Sequence, residues 1–330
     1  MNAVTALPVP ALPDRDAIES AAETLRKIVP PTPQYLWPQV AQAFGANVWI
    51  KHENHTPIGA FKARSAALYF HKLMQREPTT RGVITATRGN HGQAVGLAAQ
   101  RFKLPATIYV PHGNSTEKNN AMRALGVKLV EHGIEFQESR EQAAEVGSRE
   151  GLHMVPAFHP DIVLGVATYW AELFRAVPDI DVVYAPIGQG SGICAAAAAR
   201  NAYSPRTKIV GVVSAHAPCF ARSFEAGKPV EAPVSTVIGD GMACRKPDAD
   251  AVAIILANVE RIVEVDDAEL AAAMRRIFAM THNVAEGAGA AAFAAAWRER
   301  ESLAGKRVGL TLSGGNVDSD MFADVLAGKH

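Results

Sequence analysis

From Gly82 onward the chain alternates short runs rich in β-branched and apolar residues with longer runs of helical spacing. The pattern predicts strand 83–86, helix 91–102, strand 106–110, helix 116–125, strand 128–131 and helix 138–150. A second series follows: helix 162–177, strand 182–185, helix 193–201, strand 208–214, helices 268–280 and 288–301, and a last strand at 308–312. Strands separated by helices pair in parallel through right-handed crossovers, so the chain reads as α/β. Upstream, Asp16 with Glu19 reads as a capping box for a helix over 17–28, ended by Pro30, Pro31 and Pro33, and 48–51 as a short strand.

Bulk properties narrow the function. At 330 residues there is room for one or two cores. Lys+Arg and Asp+Glu both number 33, and no basic block points to nucleic acid. No run is long and apolar enough for a bilayer, and residues 1–13 lack the basic start and apolar middle of a leader. Cys194, Cys219 and Cys244 show neither paired nor metal-type spacing, and read as buried thiols of a reducing cytoplasm.

Four segments carry chemistry. In Thr56-Pro57-Ile58-Gly59-Ala60-Phe61-Lys62, Pro57 and Gly59 make a turn and residues 60–68 favour a helix. A lysine there, beside the apolar wall of Phe61, suits imine chemistry, because desolvation favours the neutral amine. An ordinary solvated helix lysine fits the same residues. Gly188-Gln189-Gly190-Ser191-Gly192 lies between a strand and an alanine-rich helix, where free backbone N–H groups and the helix dipole bind phosphate. A dinucleotide fingerprint fails because position 193 is Ile193, and a Walker A loop fails because no Gly-Lys-Ser/Thr follows. A plain tight turn remains the alternative. Thr87-Arg88-Gly89-Asn90-His91-Gly92-Gln93 and Ser313-Gly314-Gly315-Asn316 each follow a strand.

In this order the four segments resemble the fold-type II pyridoxal-phosphate enzymes, in the serine/threonine dehydratase and serine racemase branch, from about Thr32-Pro33 to Asn316. The resemblance implies a tryptophan-synthase-β-like α/β fold of two open twisted-sheet domains. A large cofactor-binding domain would comprise residues 1–81 and 158–330, with a small substrate-loop domain, 82–157, inserted in it. It also implies pyridoxal 5′-phosphate on Lys62, in contact with Phe61, Asn90, Gly188, Gln189, Gly190, Ser191, Gly192, Gly241, Glu286 and Ser313. Thr87, Arg88, Gly89, Asn90 and His91 would hold the substrate carboxylate. Asn90 would bond the phenolic oxygen of the cofactor, and Ser313 its ring nitrogen. A neutral hydroxyl there moderates the electron sink, which suits elimination over transamination. Blander roles fit the same residues: Ser313 as a strand-end cap, Glu286 as a helix N-terminal carboxylate, His91 as a surface capping residue, and Asp240-Gly241 as a type I′ turn.

Three departures from the family pattern shape the reading. Two of the four glycines usual in the phosphate loop are Gln189 and Ser191, which puts the loop geometry in question because Gln tolerates positive φ poorly. Arg88 stands where racemases carry a serine acid; a guanidinium is a poor proton donor, so racemisation is disfavoured. Arg88 then grips a second substrate carboxylate or turns outward to a surface acid. The acids of the family's divalent-metal site are missing after Gly211-Val212, where Val213, Pro218 and Cys219 stand, so no metal is expected. The expected reaction is β-elimination from a β-hydroxy-α-amino acid to a 2-oxo acid and ammonia, with Lys62 as the base at Cα. Threonine and serine are the default substrates; phenylserine and 3-hydroxyaspartate are the divergent candidates. β-Replacement and racemisation are the rivals on the same scaffold, and Ala60-Phe61-Lys62-Ala63-Arg64 favours the dehydratase branch. A homodimer or higher homo-oligomer is expected, without an appended regulatory domain.

Overall fold

The computed structural model describes residues 7–330; residues 1–6, the start of the segment read as no leader, lie outside them. In chain order the elements are α1 (Arg15–Leu25), β1 (Gln34–Leu36), α2 (Pro38–Phe44), β2 (Asn47–His52), α3 (Lys62–Arg76), β3 (Val83–Ala86), α4 (Asn90–Phe102), β4 (Ala106–Val110), α5 (Thr116–Ala124), β5 (Lys128–Glu131) and α6 (Phe136–Glu150). They continue with β6 (His153–Met154), α7 (Pro160–Ala176), β7 (Val182–Pro186), α8 (Ser191–Tyr203), β8 (Lys208–Ser214), α9 (Cys219–Ala226), α10 (Ala249–Asn258), β9 (Arg261–Val265), α11 (Asp267–Thr281), α12 (Gly287–Arg298), β10 (Arg307–Leu312) and α13 (Ser319–Leu326).

Two sheets organise the chain. The larger has the order β1-β2-β10-β7-β8-β9, parallel throughout except for the antiparallel pair of β1 and β2. The smaller, β5-β4-β3-β6, is wholly parallel and is inserted in the chain between β2 and β7. Parallel strands covered by helices on both faces read as apolar runs, which explains why β3, β4 and β8 begin and end where the periodicity placed them; β5, at the sheet edge with Lys128 and Glu131 exposed, matches its expected bounds as well.

Local physics moved other boundaries. The carboxylate that caps α1 belongs to Asp14, which accepts from the Ala17 N–H at 2.9 Å; Asp16 lies inside the helix, so the Asp16/Glu19 capping box does not form. The helix expected to reach 301 ends at Arg298 and passes into a 3-10 turn, Arg300–Leu303. β1, α2, β6, α9, α10, β9 and α13 were not anticipated. The alanine-rich α8 is buried from Ile193 to Ala199, packing close to α7, and Trp170 of α7 donates its indole N–H to the Gly192 carbonyl at 3.1 Å. A core helix is thus fastened to the turn that opens α8. No helix among the described residues is long and apolar enough to cross a membrane.

Candidate active site

Lys62 is positioned from below and from the side. β2 leads through a 3-10 turn, Glu53–His55, to Gly59, whose φ of +68° only glycine adopts easily. Thr56 closes the turn: its Oγ1 accepts from the Ala60 N–H at 2.9 Å and donates to the Ala60 carbonyl at 2.7 Å. Ala60 bridges Gly314, and the Phe61 N–H donates to the Ser313 carbonyl at 2.9 Å, so the lysine turn is joined to the end of β10.

Beneath the first turn of α3 lies a buried set of four charges. The Arg64 guanidinium donates to Glu53 at 2.8 and 3.0 Å and to Glu172 at 2.7 and 3.0 Å, while Lys51 reaches Glu172 at 2.6 Å. Burial works against the charge of Arg64, but Glu53 and Glu172 more than offset it and hold its pKa above the usual value. Lys62 has no such partner. Its Nζ lies 3.3 Å from Ser191 Oγ and 5.1 Å from the Phe61 ring centroid, and burial lowers its pKa to about 8.

The turn at the head of α8 answers the question raised by Gln189. The left-handed residue is Gly190, at φ +96°, while Gln189 keeps an ordinary negative φ, so its side chain costs no backbone strain. Gly188 is required by close approach instead: a Cβ there would sit 2.5 Å from the Gly241 carbonyl oxygen. No side chain caps α8, which leaves its first N–H groups available to a phosphate. Gly241 belongs to a 3-10 turn, Asp240–Met242, rather than a type I′ turn, and a Cβ on it would meet Ala288 Cβ at 2.8 Å.

The opposite wall comes from the smaller sheet. Thr87 Oγ1 accepts from the Gly89 N–H at 3.1 Å, and Asn90 opens α4. Asn90 donates to Glu286 Oε1 at 2.7 Å and accepts from Asn316 Nδ2 at 2.7 Å, giving a chain of side chains that spans both sheets. Glu286 is buried at the N-cap of α12 but does not cap it; burial, reinforced by Asp240 and opposed by Lys118 and Asn90, raises its pKa to about 7. Ser313 is buried, its Oγ 3.4 Å from the Ala288 carbonyl. His91 is not a surface cap. Its Nε2 is shut off from solvent without a partner, and burial, then the charge of Lys62, lower its pKa to about 3, so it stays neutral. Arg88 is exposed and makes no side-chain hydrogen bond or ion pair among the described residues, so the surface acid considered for it does not appear.

The residues expected to touch the cofactor or the substrate carboxylate all line one cleft of 1540 Å³. Another cleft, of 760 Å³, near the N-terminal ends of β7 and β8, holds none of them. Sequence reasoning missed Lys118 and Arg140 on the cleft wall, and the hydrogen bonds of Asn316. A lone helix lysine or arginine carries no signal of its own. It also missed that the Cys219 and Cys244 thiols are hydrogen-bond neighbours, since a gap of 25 residues reveals no contact. Among the described residues no group of three or more His, Cys, Asp or Glu is placed to hold a metal ion.

A half-buried amine without an acidic partner, an uncapped helix start behind a glycine turn and a serine at a strand end fit a phosphorylated aldehyde cofactor carried on lysine. Comparison with known proteins agrees. The family model described as pyridoxal-phosphate dependent enzyme matches residues 25–314, and the chain belongs to that family. It is 31% identical to an L-threonine ammonia-lyase of Thermotoga maritima, over 94% of this chain and 77% of the relative. It is 32% identical to an L-threo-3-hydroxyaspartate ammonia-lyase of Saccharomyces cerevisiae, over 97% of this chain and 98% of the relative. Among solved structures, the processed form of threonine deaminase isoform 2 from Solanum lycopersicum superposes with a TM-score of 0.88 at 29% identity, covering 98% of each chain.

Proposed function

We propose that this protein is a pyridoxal-phosphate-dependent ammonia-lyase that converts a β-hydroxy-α-amino acid to a 2-oxo acid and ammonia. The observation that carries the reading is the half-buried Lys62 amine, next to Ser191 at the head of α8 and on the same cleft as the Thr87–His91 loop. The reading divides the chain into a small domain, 82–157, inserted in a large one, and extends to a cytoplasmic homo-oligomer. Three buried free thiols support the reducing compartment, and the exposed Tyr35 and Leu36 on edge strand β1 support self-association.

Pyridoxal phosphate, when bound, supplies the ring that accepts the electron pair left on Cα. The first N–H groups of α8, with Ser191, would hold its phosphate. Asn90 and Ser313 would hold its ring, at the phenolic oxygen and the ring nitrogen. The loop N–H groups and Thr87 take the substrate carboxylate. Lys62, with its pKa lowered to about 8 by burial, removes the Cα proton as general base. Where a racemase would need a proton donor, Arg88 would offer a permanently charged group, which supports elimination over racemisation.

Arg88 also narrows the substrate. An exposed, unpaired guanidinium at the cleft suits a second carboxylate, which favours 3-hydroxyaspartate over threonine, serine and phenylserine. The test is 2-oxo acid release from L-serine, L-threonine, L-threo-phenylserine and the 3-hydroxyaspartate diastereomers. Arg88→Ala is expected to raise KM for the dicarboxylic substrate alone. An equal effect on every substrate removes Arg88 from the specificity reading. No product from any of them in cofactor-loaded protein overturns the ammonia-lyase reading.

A further inference from the structure

The Thr87–His91 loop is braced from outside itself, by one turn of α5. Ser115 caps α5 by accepting from the Lys118 N–H at 3.0 Å, while its hydroxyl donates to Asp318 at 2.5 Å. Glu117 accepts from the backbone and hydroxyl of Ser319. Lys118 reaches furthest. Its stem runs along Gly89, where a Cβ would lie 3.0 Å from Lys118 Cδ and 3.7 Å from Cε, and its ammonium pairs with Asp240. Asp240 and Asp318 belong to the part of the chain that carries the larger sheet, whereas α5 and the loop belong to the smaller one. Burial opposes the charge of Lys118, but Asp240, Glu286 and Asp318 more than offset it and keep its pKa above the usual value. The side chain is 12% exposed and that of Asp240 36%, so the pair is only partly screened by water.

We propose that Lys118 is a positioning residue: anchored by Asp240 across the cleft, its stem holds the loop at Gly89 in the shape that receives the substrate carboxylate. The proposal rests on the reading of that loop as the carboxylate seat. Gly89 follows from it, since any side chain there would push the lysine stem aside. The ion pair is a strut between the two sheets, so its strength sets how firmly the loop keeps its shape rather than how fast the proton leaves Cα.

The test is amide hydrogen exchange across the loop in the holoenzyme, together with steady-state kinetics. Lys118→Met is expected to speed exchange at Thr87–His91 and to raise KM for the amino acid roughly tenfold, while kcat changes less than about threefold. Lys118→Arg keeps the charge and is expected to stay near the parent in both readouts. Asp240→Asn leaves the lysine in place and serves where Lys118→Met folds poorly; it is expected to loosen the loop in the same way. Parent-like exchange and KM in Lys118→Met or Asp240→Asn would overturn the proposal, as would an arginine variant as loose as the methionine one. If the protein releases no 2-oxo acid at all, the ammonia-lyase reading fails and the exchange readout still decides the role of Lys118.

Discussion

Glu53→Gln removes one charge from a buried four-charge set without changing side-chain volume. Glu53 is 0% exposed and accepts from Thr32 Oγ1 at 2.6 Å and from Arg64 at 2.8 and 3.0 Å. With Lys51, Arg64 and Glu172 it balances two positive charges against two negative ones. The amide can still accept from Thr32 through the oxygen at Oε1, but it turns an NH₂ toward Arg64 Nε, donor against donor. It also leaves one uncompensated positive charge where water does not reach. Breaking a buried pair by removing one partner costs about 3–5 kcal/mol. The lower end, about 3 kcal/mol, is expected here, because Glu172 retains its bonds to Arg64 and is itself 13% exposed. The assay is urea unfolding of the apoprotein followed by circular dichroism, comparing midpoints at equal slope. The network floors the first turn of α3, so pyridoxal phosphate should also bind more weakly. A loss below about 1 kcal/mol, the scale of an exposed pair, would refute the view that this network supports Lys62.

Lys62→Ala is expected to lose turnover and covalent retention of the cofactor together, read by borohydride trapping. In the parent apoprotein, cofactor capture should accelerate with pH and level off above about 8, where the amine is neutral, rather than above 10.5. Glu286 resists ionisation in the fold, with a pKa of about 7 against the ordinary 4.5, so it erodes native stability as pH rises between those values and adds no further loss above them. Thermal melts should therefore show Glu286→Gln gaining on the parent across that window; a constant difference from pH 4 to 8 would contradict the raised pKa. Magnesium is expected to leave turnover unchanged, because Val213, Pro218 and Cys219 offer no carboxylate where a divalent cation would need one.

What was legible in the chain was what short-range physics writes into it. β3, β4, β5 and β8 are apolar runs bounded by turn or charged residues, and their limits follow from composition alone. The candidate site was legible as four segments because each sits where a strand gives way to a turn and a helix, the place where backbone N–H groups are left free. β1 and β6 are too short to show a period. α2 does carry a local signal, Pro38 at its start and Gly45 at φ +61° after its end. Tertiary facts had no local trace: the strut from Lys118 to Asp240, the Asn316–Asn90–Glu286 chain and the meeting of Cys219 with Cys244 each join distant residues. The tolerance of Gln189 is of the same kind, since only the structure shows that the left-handed step falls one residue later.

The order β1-β2-β10-β7-β8-β9 has a consequence in time. β2 is made well before its inner neighbour β10, the last of the described strands, which follows about 260 residues later. At roughly 5–20 residues per second, that is on the order of half a minute during which β2 presents an unpaired edge. The smaller sheet is complete by residue 154 and can assemble within that interval. Lys62 follows β2 and precedes the smaller sheet, so it is synthesised before Glu172 completes its floor, before the glycine turn that opens α8, and long before Ser313 at the end of β10. Chains stalled before β10 would carry Lys62 without Ser313 beside it and β2 with an apolar edge unpaired, so they are the species expected to aggregate.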